Sequence, residues 1–140
     1  MNKIRIFLVL VLSLFILSCA GMNVQVSKDS VTVLQTAATS TVGYLIAKNN
    51  IEYVDDMVTW YNYFKSETKL ENVQVAFQDG LTQLSKLISD DPYLQLQVRN
   101  AMNLLEINVE GPQTELELGK YQAVVDSFMS GVMAGKMASL

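Results

Sequence analysis

Three residue pairs in this chain have spacings that some enzymes use for catalysis. Ser66 and Lys69 are three residues apart, which is the spacing found in enzymes in which a lysine activates a serine nucleophile. Two tyrosine–lysine pairs have the spacing of a reductase proton donor and its partner: Tyr44–Lys48 and Tyr61–Lys65. The serine pair lies at a polar helix junction without companion motifs, and no glycine-rich nucleotide turn precedes the tyrosines. We interpret all three as neighbours on helix faces.

Paired carboxylates are the remaining candidates for chemistry: Asp55-Asp56, Asp90-Asp91 and Glu106 with Glu110. None has the ligand spacing of a calcium loop. Helix capping explains Asp90-Asp91, and Glu106 with Glu110 would share a solvated face if their helix extends that far. The chain contains no histidine, which removes the commonest general base and metal ligand. The sequence therefore predicts no catalytic residues, metal site or cofactor, and a protein that is not an enzyme.

The first 18 residues have the parts of an export signal. Lys3 and Arg5 are followed by the run Ile6–Leu17, in which every residue but Ser13 is apolar. A helix of that run covers about 18 Å, too short to span a bilayer but typical of a signal peptide. We expect a signal peptide over residues 1–18.

The segment Ile16-Leu17-Ser18-Cys19 resembles the lipobox of bacterial lipoproteins. The resemblance implies cleavage before Cys19, diacylglycerol on its sulfur and a further acyl chain, such as palmitate, on its new amino group. Because Ala20 follows the cysteine, the resemblance favours the periplasmic face of the outer membrane. An ordinary signal peptide cleaved elsewhere, or an uncleaved anchor, is the alternative.

The predicted mature chain is acidic and lies close to its anchor. Loss of Lys3 and Arg5 takes the formal net charge from −4 to −6, which argues against nucleic acid as a partner. The negative charge also argues against electrostatic binding of the protein to anionic lipid. We therefore expect the lipid on Cys19 to supply the membrane affinity. Residues 19–29 form the lipidated N-terminus and tether, and residues 30–140 form one domain.

Apolar residues recur with helical period throughout that domain. The periodicity predicts a compact antiparallel all-α bundle of about five helices, at 30–48, 50–66, 69–89, 92–108 and 115–138. Asp91 should cap the fourth helix, with Pro92 at its first position, and Gly111-Pro112 should end it. Capping boxes are predicted at Asn49 with Glu52, Thr68 with Glu71, and Thr114 with Glu117.

The last predicted helix carries a row of small residues at every fourth position: Ala123, Ser127, Gly131, Gly135 and Ser139. Such a row allows close approach of another helix. Tight packing within the bundle, contact with a partner or second copy, and membrane contact are the three interpretations. The second predicted helix carries an apolar and aromatic cluster that can face inward: Tyr53, Met57, Trp60, Tyr61 and Phe64. This cluster is either core or a partner or ligand groove.

Two hypotheses for function follow. The first is a lipid-anchored envelope module that acts through contacts with an envelope protein or another copy of itself. The second is a carrier of a small apolar molecule or lipid. The carrier hypothesis predicts a cavity of a few hundred Å³ between the helices, lined by residues such as Met57, Trp60 and Met133.

Overall fold

The computed structural model describes the backbone of residues 28–140 and the side chains of residues 35–140. The predicted signal peptide, Cys19 and nearly all of the tether lie outside these residues. Five α-helices make up most of the described chain: α1 Lys28–Asn49, α2 Val54–Ser66, α3 Leu70–Leu87, α4 Pro92–Leu104 and α5 Leu118–Ala138. Single 3₁₀ turns at Ile51–Tyr53 and Glu115–Glu117 lead into α2 and α5. Residues 28–140 contain no strand, so the predicted all-α bundle is confirmed.

Contacts between helices show the direction in which each one runs. Helices α2 and α5 run in opposite directions, because Lys65 near the end of α2 pairs with Asp126 while Asp55 near its start pairs with Lys136. Helices α1 and α5 run in the same direction. When five helices alternate in direction along the chain, the first and the last run parallel, and here they are in contact.

The α1–α5 seam is the closest helix contact in the described chain. We define it by the facing residues Thr36, Ser40 and Tyr44 on α1 and Ser127, Gly131 and Gly135 on α5. Ser127 Oγ donates to the Thr36 carbonyl at 2.8 Å. A Cβ atom on Gly131 would overlap the Ser40 carbonyl, and one on Gly135 would lie 2.6 Å from the Tyr44 carbonyl oxygen. Backbone therefore meets backbone here, which the missing side chains allow.

Buried apolar residues form two clusters. The first joins α2, α3 and α5 around Phe64, Phe77 and Tyr121, with the Phe77 and Tyr121 rings edge to face at 5.0 Å. The second joins α1 to α4 and the α3–α4 turn around Ile46 and Leu94. Met57 and Phe128, which are only partly buried, border both clusters, and the two clusters are not one continuous core.

One predicted cap is confirmed and others are wrong. Asp91 Oδ1 accepts from the Leu94 N–H at 3.0 Å, with Pro92 at the first position of α4. Asn49 is instead the last residue of α1, and Asn50 uses its amide to donate to the Ile46 carbonyl at 2.9 Å. The remaining two boxes are also wrong, because neither Thr68 nor Thr114 makes a side-chain cap. Lys69 precedes α3 without a side-chain cap bond, and the Glu117 carboxylate accepts from the Gln113 N–H at 2.6 Å.

Helix α4 ends four residues earlier than predicted. Glu106 adopts a left-handed conformation with φ 52°, and the Ile107 and Glu106 N–H groups donate to the Met102 and Asn103 carbonyls. This is a Schellman ending with glutamate where glycine is usual. Because the helix ends before it, Glu106 does not share a helix face with Glu110, and both side chains are exposed to solvent.

Candidate ligand cavity

A cavity of about 650 Å³ lies between the two clusters of buried residues. This volume falls within the range of about 300–1,000 Å³ found for small-molecule sites. All five helices contribute to its wall. Its apolar lining includes Val42, Met57, Trp60, Phe77, Leu81, Leu84, Leu87, Val98, Ala101, Met102, Leu105, Ile107, Val124, Val125 and Phe128.

Uneven packing of the helices explains why this space is open. Helices α1 and α5 contact each other along their length, α4 packs mainly on α1, and α3 packs mainly on α2. Helices α3 and α4 make few contacts with each other or with α5. A space therefore remains between α3 and α4 on one side and α5 on the other, and the side chains that border it do not fill it. The seam fixes the positions of α1 and α5, so these helices do not close the space.

The Trp60 indole forms one wall of the cavity. Its Nε1 donates to the Ala76 carbonyl at 2.8 Å, and its ring lies 5.5 Å from that of Phe64. The same ring passes over Gly80, where any Cβ atom would overlap it. Gly80 therefore provides the room in which the indole lies, and the hydrogen bond fixes the ring beside the open space.

The polar groups inside the cavity already have partners. Thr39 is 6% exposed, and its hydroxyl donates to the Gln35 carbonyl at 3.0 Å. The Trp60 N–H is satisfied by Ala76. Among the described side chains, no buried nitrogen or oxygen lacks a hydrogen-bond partner. Water inside needs polar partners that this wall does not offer, whereas apolar groups need none.

The exposed residues of the lining are polar and lie mainly at one end of the bundle. The connection from α1 to α2 and the turn from α3 to α4 meet there. We define the mouth by the following side chains, which line that end: Asn50, Glu52, Tyr53, Asp56, Gln83, Lys86, Ser89 and Asp90. Lining residues farther along, such as Phe77, Leu105 and Val125, are buried. The cavity thus has an apolar interior and a polar opening.

The structure divides the predicted aromatic cluster among several places. Met57 and Trp60 line the cavity, and Tyr53 is 46% exposed at the mouth. Phe64 is buried in the first cluster and does not line the cavity. Tyr61 points towards α5, where its hydroxyl donates to Asp126 at 2.7 Å. Part of the predicted groove is therefore cavity wall, and part is core or ion-pair network.

Asp126 also determines what the Tyr61–Lys65 pair does. Lys65 Nζ lies 3.0 Å from Asp126 Oδ1. The hydrogen bond to this carboxylate raises the pKa of Tyr61, with a smaller contribution from burial. The same carboxylate raises the pKa of Lys65. The raised pKa makes the Tyr61 hydroxyl a weaker acid, which is the reverse of what a reductase proton donor requires.

The remaining candidate pairs have structural partners. The Ser66 hydroxyl donates to the Tyr63 carbonyl at 2.6 Å. Lys48 Nζ lies 6.0 Å from the centre of the Tyr44 ring. Asp55 pairs with Lys136 at 2.9 Å. These contacts account for the residues as parts of the helix surface.

The small-residue row of α5 is only partly available to another molecule. Gly131 and Gly135 are buried against α1, and Ser127 is bonded to it. Ala123 and Ser139 are exposed. Met133, predicted for a cavity wall, is 43% exposed and does not line the cavity.

Helices α3, α4 and α5 supply most of the wall that sequence reasoning missed. Leu84, Val98, Met102 and Phe128 are spaced as ordinary inward-facing residues of amphipathic helices. Nothing in that spacing separates residues around an open space from residues in a filled core. The one usable signal was the small residue Gly80 on the apolar face of α3.

No protein-family model, curated protein or solved structure matches this chain. None of the helices in residues 28–140 is both long enough and apolar enough to cross a membrane.

Proposed function

We propose that this protein is a lipid-anchored carrier that binds a small apolar molecule or the apolar part of a lipid inside its helical bundle. The observation that carries the proposal is the cavity of about 650 Å³, with its apolar wall and polar mouth. Binding is driven by removal of apolar surface from water, and each buried methylene contributes about 0.8 kcal/mol. The side chains that we assign to ligand contact are Met57, Trp60, Met102 and Phe128.

Location is the second part of the proposal. Export through the predicted signal peptide and acylation of Cys19 would place the carrier at the periplasmic face of the outer membrane. Metabolic labelling with a fatty-acid analogue tests this part. We expect labelling of the wild type and none of Cys19→Ala, and equal labelling of the two would refute the anchor.

Binding is tested with N-phenyl-1-naphthylamine, a neutral apolar fluorophore whose emission rises in apolar surroundings. Trp60 is the only tryptophan of the chain and lies in the cavity wall, so it is the single indole donor for energy transfer to a bound probe, and the variants below show whether the probe is in the cavity. Ala101 is buried and lines the cavity, and leucine at this position would occupy part of the space. We expect saturable transfer that Ala101→Leu weakens at least fivefold.

The matched control is Ala134→Leu, an equal enlargement at an exposed site of α5 away from the cavity. It should bind as the wild type does. Absence of saturable transfer in the wild type, or equal binding by the Ala101→Leu variant, would contradict the carrier function.

A contact module remains the second candidate, because three large apolar side chains are exposed on α4. Tyr93, Leu96 and Leu104 are 60%, 49% and 55% exposed. Such residues favour interfaces when they lie together. Sedimentation of the wild type and of a Tyr93→Ser, Leu96→Ser variant tests whether this face joins two copies. A concentration-dependent dimer lost in the variant would support it, and a monomer at all concentrations would exclude self-association.

A further inference from the structure

We propose that the natural ligand is a single-chain amphiphile with a cationic head, whose tail lies in the cavity and whose head stays at the mouth. This inference rests on the proposed carrier function and adds the chemical class and orientation of the ligand. Its basis is the difference between the two ends of the cavity wall. The buried end is apolar, and the exposed end carries charges.

The cavity interior selects for the tail. Its side-chain hydrogen-bond donors, on Thr39 and Trp60, are used within the protein and are not available to a ligand. A polar head placed inside would lose its hydration without gaining a partner, which is costly. An alkyl chain loses nothing there, so only one orientation of an amphiphile is favourable.

The mouth selects for the sign of the head. Glu52, Asp56 and Asp90 line it, against the single cation Lys86. Within the described residues, none of these four makes an ion pair, whereas the neighbouring Asp55 is paired with Lys136. Glu52 in the turn that precedes α2 and Asp56 in the first turn of that helix both add negative charge at this end of the cavity. A cationic head would relieve this excess of negative charge.

Charge complementarity at an exposed mouth contributes only modestly to binding affinity. Each exposed ion pair changes affinity only a few-fold, because water screens it. Three carboxylates against one lysine therefore predict about a tenfold preference for a cationic over an anionic head of equal chain length. The preference should shrink as salt is raised, because the charges are exposed.

The test compares three amphiphiles with the same twelve-carbon chain: dodecyltrimethylammonium, dodecyl maltoside and dodecyl sulfate. Each is titrated below its micelle concentration into the full chain in phosphatidylcholine vesicles, and the emission of Trp60 is followed. Lipid vesicles contain no tryptophan, so the signal belongs to the cavity wall. We expect saturable changes, with the cation bound about tenfold more tightly than the sulfate.

Two variants with equal change of charge complete the test. The mouth variant carries Glu52→Gln, Asp56→Asn and Asp90→Asn and should lose the preference while still binding dodecyl maltoside. The control carries Glu71→Gln, Asp79→Asn and Glu115→Gln, at exposed sites that do not line the cavity, and should keep the preference.

Different results would contradict the carrier function and the cationic head of the ligand. If none of the three amphiphiles gives a saturable change, the carrier function itself is overturned. Saturable binding with equal affinities, or with the sulfate bound best, overturns the cationic head and leaves the carrier function standing. Equal loss of the preference in both triple variants would also overturn it, because a general effect of net charge would then explain the result.

Discussion

The α1–α5 seam and the α3–α4 side of the cavity both contain glycine, but their helices pack in different ways. At the seam, Gly131 and Gly135 let the backbone of α5 meet that of α1. Across the bundle, α3 and α4 make few contacts with each other and with α5, and the cavity lies between. Glycine occurs on both sides. The backbone of Ser40 lies against Gly131, whereas the side chain of Trp60 lies against Gly80.

This difference shows how a small bundle can hold both a fixed frame and a binding space. Backbone atoms in close contact cannot shift independently, so the seam sets the separation of α1 and α5. A side chain beside an open space can move, so the other wall can adapt to a ligand. Placing rigid packing and open space in separate regions keeps the stabilising contacts out of the binding site.

The largest expected effect is at the seam. A methyl group on Gly131 would overlap the Ser40 carbonyl, which is backbone and cannot rotate away. We expect Gly131→Ala to reduce the free energy of unfolding by about 3 kcal/mol or more, at the upper end of overpacking effects. Gly119→Ala is the control, since a Cβ atom there has no neighbour within 4 Å. Urea denaturation should show it neutral or up to about 1 kcal/mol more stable. A Gly131→Ala variant as stable as wild type would show that the seam is not rigid.

The same substitution on the cavity side should cost less. The Cβ atom of Gly80→Ala would overlap the Trp60 ring, which can move into the adjacent open space. Loss of the Trp60–Ala76 hydrogen bond costs about 1 kcal/mol, and the better helix propensity of alanine offsets part of it. We expect a net loss of about 1 kcal/mol in urea denaturation, with a shifted Trp60 emission. A loss equal to that of Gly131→Ala would remove the distinction between the two regions.

Filling the cavity should act in the opposite direction. Cavity-filling substitutions commonly stabilise a protein by about 0.5–2 kcal/mol. We expect Ala101→Leu to gain about 1 kcal/mol in the ligand-free protein, measured by thermal unfolding, while Ala134→Leu on the exposed face changes little. Destabilisation by Ala101→Leu would mean that the space around this residue is already filled.

The smallest effect concerns pH. Asp126 raises the pKa of Tyr61 and of Lys65 above their ordinary values of 10.0 and 10.5. Because the folded protein favours the protonated forms, their contribution is complete below about pH 10 and is lost as pH rises through the raised pKa values. The Lys65 and Asp126 side chains are 40% and 45% exposed, so water screens the pair and we expect less than about 1 kcal/mol. Asp126→Asn should flatten the fall in urea midpoint above pH 10, whereas Asp79→Asn should leave it unchanged.

Much of the fold follows from the sequence because helical periodicity and two prolines define the helices. The inward positions of Met57 and Trp60 were predicted from spacing alone, and the Asp91 cap from local chemistry. The end of α4 was not predictable in this way. Glu106 takes a conformation that favours glycine, and tertiary contacts stabilise the turn that follows: the Tyr121 hydroxyl accepts from the Asn108 N–H at 2.8 Å.

The cavity itself could not be read from the sequence. Val98 and Met102 follow the same pattern whether the space beside them is filled or open. The distance between helices decides this, and that distance is set by the seam on the other side of the bundle. The row of small residues was compatible with packing in the bundle, with a partner contact and with a membrane contact. The residues of α1 that face Gly131 and Gly135 show that these two glycines pack within the bundle.

The most direct test of the central claim, that the cavity receives an apolar ligand, is methionine methyl NMR with N-phenyl-1-naphthylamine. The chain has seven methionines, of which Met57 and Met102 line the cavity while Met129 and Met137 do not. We predict ring-current shifts and ligand contacts at Met57 and Met102 only. Shifts confined to Met137, or no shifts at saturating probe, would contradict the account.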